Sequence, residues 1–207
     1  MPHLRIGITG GMGAGKSTVC QIFKRLDVPV YDADSRAKWI MNNDSDLKKN
    51  LIASFGWDTY TRKDELNRAY LAKVVFNNNE KLELLNSIVH PAVKNDYIKW
   101  VEQHKEVPYS LKEAALLFES KSYKSLNKVI VVTSPIETRI ERIVQRDHVK
   151  KEDVLKRIQN QATDRERMSL ADWIINNDGN TSLIEQSLSI HRKILEIAKQ
   201  NSVPLKV

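Results

Sequence analysis

The order of apolar and polar positions divides the 207-residue chain into short buried strands and amphipathic helices. Residues 4–9 (LRIGIT) form a short apolar run followed at once by glycine, the pattern of a strand in a covered parallel sheet. Over residues 16–26, Val19, Ile22, Phe23 and Leu26 fall on one face of a helix. Residues 29–33 (PVYDA) predict a second strand, with Pro29 at its start, where a missing donor matters least. The stretch 35–100 is mostly helical in pattern, because Leu71, Val74 and Val75, then Leu82, Leu85 and Val89, recur at helical spacing. Pro91, after His90, should end one of these helices or open the next. Residues 109–118 (YSLKEAALLF) and 128–133 (KVIVVT) predict strands. Ser134, Pro135 and Glu137 predict a helix start, with serine as N-cap, proline at the first helical position and glutamate in a capping box. That helix should run to about Arg146, and another should cover 151–163. Residues 172–176 (DWIIN) predict the last strand. Ser182 and Glu185 form a second capping box, opening a C-terminal helix with Leu188, Ile190, Ile194 and Ile197.

Strands that alternate with helices imply an α/β fold with a parallel sheet flanked by helices. The stretch 35–100 is too long for one crossover helix and predicts a helical subdomain inserted after the second strand. Composition changes this picture little: 41% hydrophobic and 29% charged residues are ordinary for a globular chain of one large domain. Trp39, Trp57, Trp100 and Trp173 are expected in the core. The single cysteine, Cys20, allows no intrachain disulfide and suits a reducing cytoplasm. No run of about 18 apolar residues predicts a membrane span. The first strand follows Met1 so closely that no signal peptide is expected. A cytoplasmic protein with no membrane partner, monomeric or weakly self-associating, is the expectation. The net charge of +7, from 33 basic and 26 acidic residues, suits either nucleic acid or small polyanions such as nucleotides. No polybasic tail, zinc-finger spacing or interleaving of aromatic and basic residues is present, so no nucleic-acid partner is expected.

The sharpest chemistry lies in Gly10-Gly11-Met12-Gly13-Ala14-Gly15-Lys16-Ser17, which matches G-x-x-x-x-G-K-[ST]. Glycines let the backbone turn sharply and aim successive N–H groups at an anion, and the following helix adds its positive N-terminal end. In such a loop Lys16 reaches the terminal phosphates of ATP and the Ser17 hydroxyl ligates Mg²⁺. The strand before the loop and the helix after it are the context that the motif requires. A guanine-reading Asn-Lys-x-Asp is absent, since the nearest string is Asn127-Lys128-Val129-Ile130. Residues 114–119 (AALLFE) end in Glu119 and keep a motor-type ATPase in view, but a compact chain with a helical insertion suits a small-molecule kinase better. A nucleotide-dependent regulatory protein without an acceptor is the reading from a different class.

Asp32-Ala33-Asp34 closes the second strand at the edge where parallel sheets bind ligands. Alternate residues of an extended segment point the same way, so Asp32 and Asp34 could both face the site as proton acceptor or holder of magnesium-bound water. Asp34 or Ser35 could instead cap the following helix. Arg139, Arg142 and Arg146 share one helix face, and Arg157, Arg165 and Arg167 follow. They fit a lid that clamps phosphates, or equally a solvated face with Glu141 and Asp147 as partners. Asn176-Asn177-Asp178-Gly179 is a turn that could also contact adenine. His90 alone reads as structural, and nothing marks Cys20 as a nucleophile.

Taken in order, these strings resemble the dephospho-CoA kinase family. The phosphate loop through Thr18 and Asp32-Ala33-Asp34 carry the resemblance first. Phe55-Gly56, Leu66-Asn67-Arg68 with Phe76, and His90-Pro91 continue it. Leu116-Leu117-Phe118-Glu119, Gln145-Arg146-Asp147, Arg157-Ile158 with Gln161, and Asn177-Asp178-Gly179 complete it over nearly the whole chain. The resemblance implies a P-loop kinase core, an acceptor-binding helical subdomain at about 35–95 and a helical lid at about 140–165. It implies transfer from ATP, with Mg²⁺, to the ribose 3′-hydroxyl of dephospho-CoA, giving CoA and ADP. Nucleotide binding then falls to Gly11, Gly13, Ala14, Gly15, Lys16, Ser17 and Thr18, with Arg142 and Asn177. Asp34 matches the general base, Asp32 a holder of magnesium water, Arg142 and Arg146 the lid arginines, and Arg68 and His90 the acceptor site. The chain departs from the family at Ala115, where proline is frequent, and at Asn67 and Asn176, where aspartate is.

Overall fold

A computed structural model describes residues 3–76, 78–159 and 161–200. The chain divides into two compact units, one of residues 1–32 and 103–207 and one of residues 33–102.

The first unit is built on five parallel strands. Strand β1 (Leu4–Thr9) leads through the glycine loop into α1 (Lys16–Arg25), and β2 (Val30–Asp32) follows. Strand β3 (Tyr109–Glu113) stands between β1 and β2, pairing Ile8 with Glu113 on one side and Asp32 with Glu113 on the other. Strands β4 (Lys128–Thr133) and β5 (Trp173–Asn176) extend the sheet to the order β2-β3-β1-β4-β5. All neighbours run parallel, so Thr9, Asp32, Glu113, Thr133 and Asn176 end at one edge.

Every second residue of β1 points to the same side. Ile6 and Ile8 are wholly buried there with Leu111, Ile130, Val132 and Ile175. Val19, Cys20 and Phe23 of α1 cover them, with Ile190, Ile194 and Ala198 of the last helix, residues 183–200. On the opposite side Gly7 leaves room for a close approach. A side chain there would meet Leu126 at 2.7 Å and Leu117 at 2.8 Å. Those leucines belong to the segment between β3 and β4, which is a turn with one 3₁₀ stretch at Ser122–Ser125. The predicted strand over 109–118 therefore stops at Glu113, and Glu119 does not end a strand. Leu117, fully buried, and Phe118 fold over the sheet instead of continuing it.

The second unit is helical. Its helices are α2 (Ala33–Asn43), α3 (Ser45–Phe55), α4 (Arg68–Val75) and α5 (Asn79–Gln103), whose last residue lies just beyond the unit. Ile40, Leu47, Leu51, Phe55, Tyr60, Leu71 and Val89 form a core of their own. Asp44 caps α3 by accepting from Asp46 N–H (3.0 Å) and Leu47 N–H (2.9 Å). Pro91 neither ends nor starts a helix but lies inside the 25-residue α5. Proline removes a single hydrogen bond there, and the turns on either side carry the helix through. Two tryptophans also depart from expectation: Trp39 is 52% exposed and Trp57 83% exposed. The Arg36 guanidinium lies over the Trp39 ring at 4.4 Å, so the ring keeps a partner without burial.

Chain order in the first unit resumes with α6 (Ile136–Asp147), α7 (Lys151–Gln159), α8 (Asp164–Ser169) and α9 (Leu183–Gln200). Ser134 does not cap α6; Pro135 holds that position and makes no side-chain bond. The Ser134 hydroxyl instead accepts from Arg142 at 3.2 Å. The helix predicted over 151–163 stops at Gln159 as α7, and Thr163 starts a separate helix, α8, with a full capping box to Glu166. Ser182 does cap α9, its hydroxyl accepting from Glu185 N–H at 3.3 Å.

Asn67 gives a direct test of local structure. Its side chain caps α4 by accepting from Tyr70 N–H at 3.1 Å. Asn67→Ala should cost about 1 kcal/mol of stability, whereas Asn67→Asp should stay within a few tenths, as read by urea denaturation.

Candidate functional site

The site starts from the turn between β1 and α1. Gly15, with φ 96°, takes a left-handed conformation just before the helix. A Cβ on Gly15 would also overlap Asn177 Nδ2. Asn177 Nδ2 donates to Ala14 C=O at 2.8 Å, and Asn177 Oδ1 accepts from Arg142 Nη2 at 3.4 Å. Arg142 Nη1 donates to Gly13 C=O at 3.4 Å. The turn after β5 and the middle of α6 thus both hold the loop. Asn177 serves the loop here, while Asp178 forms the turn itself, accepting from Asn180 and Thr181 N–H.

Lys16 opens α1, and its Nζ donates to Gly10 C=O at 3.0 Å and Gly11 C=O at 3.5 Å. The ammonium group therefore hangs over the loop whose N–H groups begin the helix. Ser17 and Thr18 are exposed in the first turn. The first four N–H groups of a helix lack internal partners, which makes this end an anion site.

Two carboxylates end strands at the sheet edge from which the loop departs. Asp32 and Glu113 are register partners at the ends of β2 and β3. Glu113 also stands beside the Cys20 thiol. Burial first, and this carboxylate next, push that thiol well above the usual range and keep it protonated. Cys20 is a core residue rather than a nucleophile. Sequence alone does not mark Glu113, since the apolar run AALLFE that follows it ends in Glu119, six residues later. Glu119 follows in the turn after β3, accepting from Ala162 N–H at 3.0 Å and pairing with Arg167 at 3.6 Å.

Asp34 is not on the strand. The extended segment ends at Asp32 and α2 begins at Ala33, so the alternation that would align the two side chains does not hold. Asp34 sits in the first turn of α2, inside the helix and exposed, so neither it nor Ser35 caps that helix. A carboxylate there is favoured by the helix dipole. Arg68 opens α4 and His90 lies on α5, both exposed.

The arginine face of α6 runs from buried to exposed. Arg139 is 3% exposed and packs against Gly11, where any Cβ would overlap its guanidinium. Arg142 is half-buried at Gly13 and Asn177. Arg146 is exposed and pairs with its neighbour Asp147 through two bonds of 2.7 Å and 3.0 Å. This pairing raises the Arg146 pKa and holds the Asp147 carboxyl below its usual range. Arg139 and Arg167, which is 2% exposed, are the loop's buried cations. The spacing of Arg139 with Arg142 and Arg146 predicts one helix face, but nothing local distinguishes Arg139 or Arg167 from surface arginines.

The sequence profile of the dephospho-CoA kinase family matches residues 4–182. A Mannheimia succiniciproducens dephospho-CoA kinase is 34% identical over 202 residues, covering 95% of this chain and 94% of that protein. A dephospho-CoA kinase from Bacillus cereus is 39% identical over 176 residues, 84% of this chain and 88% of that one. Among solved structures, a Thermus thermophilus protein superimposes with a TM-score of 0.82 at 30% identity, covering 93% of this chain and 98% of that one. The dephospho-CoA kinase from Campylobacter jejuni gives a TM-score of 0.68 at 28% identity, with coverage of 95% and 98%.

Two outcomes follow from the loop geometry. Gly15→Ala should weaken ATP binding by at least about tenfold in calorimetric titration, because left-handed strain and the overlap with Asn177 distort the loop. Cys20 should resist alkylation in the folded protein and react only after denaturation, as followed by mass spectrometry.

Proposed function

The chain belongs to the dephospho-CoA kinase family and is a kinase acting at the last step of CoA biosynthesis; we propose that residues 10–18 hold the ATP and that Asp34 accepts the proton from the ribose 3′-hydroxyl of dephospho-CoA. The observation that carries this reading is the gathering of the phosphate loop, Lys16, Asp32 and Glu113 at one edge of the parallel sheet.

The donor set fits a magnesium triphosphate. Ser17 offers a hydroxyl in the first turn of α1, and Asp32 and Glu113 offer hard carboxylate oxygens at adjoining strand ends. Mg²⁺ held there would neutralise charge on the phosphates. Lys16 exchanges the carbonyls of Gly10 and Gly11 for phosphate oxygens. Gly11, Gly13, Ala14, Gly15 and Thr18 shape the cradle, and Arg142 and Asn177 brace it from outside.

Asp34, two residues along the chain from Asp32, is the proposed base, and Asp32 the holder of metal-bound water. Arg68 and His90 are proposed to shape the acceptor site on the helical unit. Arg146 is proposed as the lid arginine, leaving Asp147 for the phosphates when the lid of about 140–165 closes. An exposed ion pair is weak, so that exchange is cheap. Among the described residues no helix is long and apolar enough to cross a membrane. The proposed site of action is the cytoplasm.

The experiment is acceptor-dependent ADP release from Mg·ATP, with dephospho-CoA set against adenosine, AMP and shikimate. Release with dephospho-CoA alone, yielding CoA, is expected; no stimulation by it in a protein that binds ATP would overturn the reading. Asp34→Asn should lower kcat by about 10²–10⁴-fold with little change in the KM for ATP. A wild-type rate in that variant would move the base to Asp32. Lys16→Ala should lose most turnover.

A further inference from the structure

Two arginines of the nucleotide-binding unit lie where charge is costly. Arg139 and Arg167 are 3% and 2% exposed. One carboxylate oxygen, Asp164 Oδ1, accepts from both: from Arg139 Nη1 at 3.1 Å and from Arg167 Nη1 at 3.1 Å. Arg167 Nη2 is further paired with Glu119 at 3.6 Å. The Nε atoms of both arginines are buried without a hydrogen-bond partner. A cluster maintained only for stability would replace such groups by apolar ones of equal size, which is frequently neutral or stabilising.

The cluster does not sit in the general core. Its guanidinium groups lie against the first residues of the phosphate loop. Arg139 Nη1 occupies the space that a side chain on Gly11 would fill. Arg167 Nη2 donates to Gln161 Oε1 at 3.4 Å, and the same oxygen accepts from Met12 N–H at 3.1 Å. Gln161 is thus a relay between a buried cation and a backbone amide of the loop. Asp164, Gln161 and Arg167 come from α8 and the residues just before it, and Arg139 from α6. The helices after β4 are tied to the loop's first half here, as Arg142 and Asn177 tie its second half.

We propose that Arg139 and Arg167, bridged by Asp164 and relayed through Gln161, are positioning residues that hold Gly11 and Met12 of the phosphate loop in their nucleotide-binding shape. The inference rests on the reading that residues 10–18 bind ATP. Its effect belongs to nucleotide affinity and not to the acceptor, because the cluster touches the loop, α6, α8 and the residues just before it, and, through Glu119, the turn after β3. Arg139 packs on Gly11 directly, and Arg167 acts on Met12 only through Gln161. The effects of Arg167 and Gln161 should therefore be coupled, while a cluster that merely stabilises the fold would show no such coupling in nucleotide binding.

The test measures KM for ATP, KM for dephospho-CoA, Kd for ADP and the melting temperature on whole-chain variants. Wild-type binding of ADP is measured first, and its absence would defeat the underlying nucleotide reading rather than this one. Arg167→Met and Gln161→Leu should each raise KM for ATP and Kd for ADP by about tenfold, the scale of a lost bond to a charged group, with KM for dephospho-CoA within about twofold. The double variant should be little worse than either single one. Should Arg167→Met fail to fold, the triple variant Arg139→Met, Asp164→Leu and Arg167→Met removes the bridged charges together. It should melt near the wild-type temperature yet show the same loss of ADP affinity. Folded variants with wild-type affinity for ADP, or fully additive effects in the Arg167 and Gln161 pair, would overturn the proposal.

Discussion

The turn from β1 into α1 is the constraint on which the nucleotide-binding unit depends. It has to reverse direction, begin a helix and leave its amides facing an anion, all within six residues from Gly10 to Gly15. Glycine makes the turn possible but supplies no side chain to stabilise it. Stability comes from outside: Asn177 on Ala14, Arg142 on Gly13, Arg139 on Gly11 and Gln161 on Met12. Each brace comes from a segment C-terminal to β4. The second half of the chain thus holds a motif located in the first tenth of its residues.

Burial divides one arginine pattern into three physical roles. Arg139 is desolvated and committed to Asp164, Arg142 is shared between a serine, a backbone carbonyl and an asparagine, and Arg146 is in water beside Asp147. Electrostatics are strongest where water is excluded, so the same side chain is a fixed element at one end of α6 and an exchangeable one at the other. Lys112 illustrates the same pressure in the sheet, where burial lowers its pKa from the ordinary lysine value.

The helical unit is organised by its own core and caps. Asp44 and Asn67 fix where α3 and α4 begin, and the Tyr60 hydroxyl donates to Met41 C=O at 2.6 Å, fastening the chain after the 3₁₀ turn Trp57–Thr59 to α2. Arg36 is held by two bonds to Asp96 of 2.9 Å and 2.6 Å while its flat face covers Trp39. The exposure of Trp39 is consequently not an error of patterning, since a planar cation can shield a ring as a core would.

The elements with a strong local signal were legible from residue order alone. Strands β1, β4 and β5, helices α1 and α9 and the phosphate loop follow from periodicity, glycine spacing and capping residues, which act within a few positions of themselves; the family was legible as a resemblance of motifs in their order along the chain. Where prediction departed, a distant partner decided. The strand over 109–118 stops at Glu113 because Leu117 folds back onto Gly7. Ser134 is drawn from capping by Arg142, eight residues on. Asp34 turns from strand to helix because β2 has only three residues of pairing with β3. Glu113 as the acidic strand end, and Arg139 and Arg167 as buried cations, depend on which side chains the sheet and helices bring together. A sequence determines hydrogen bonds and periodicity that are local; desolvation belongs to the packed chain, and only tertiary structure distributes it.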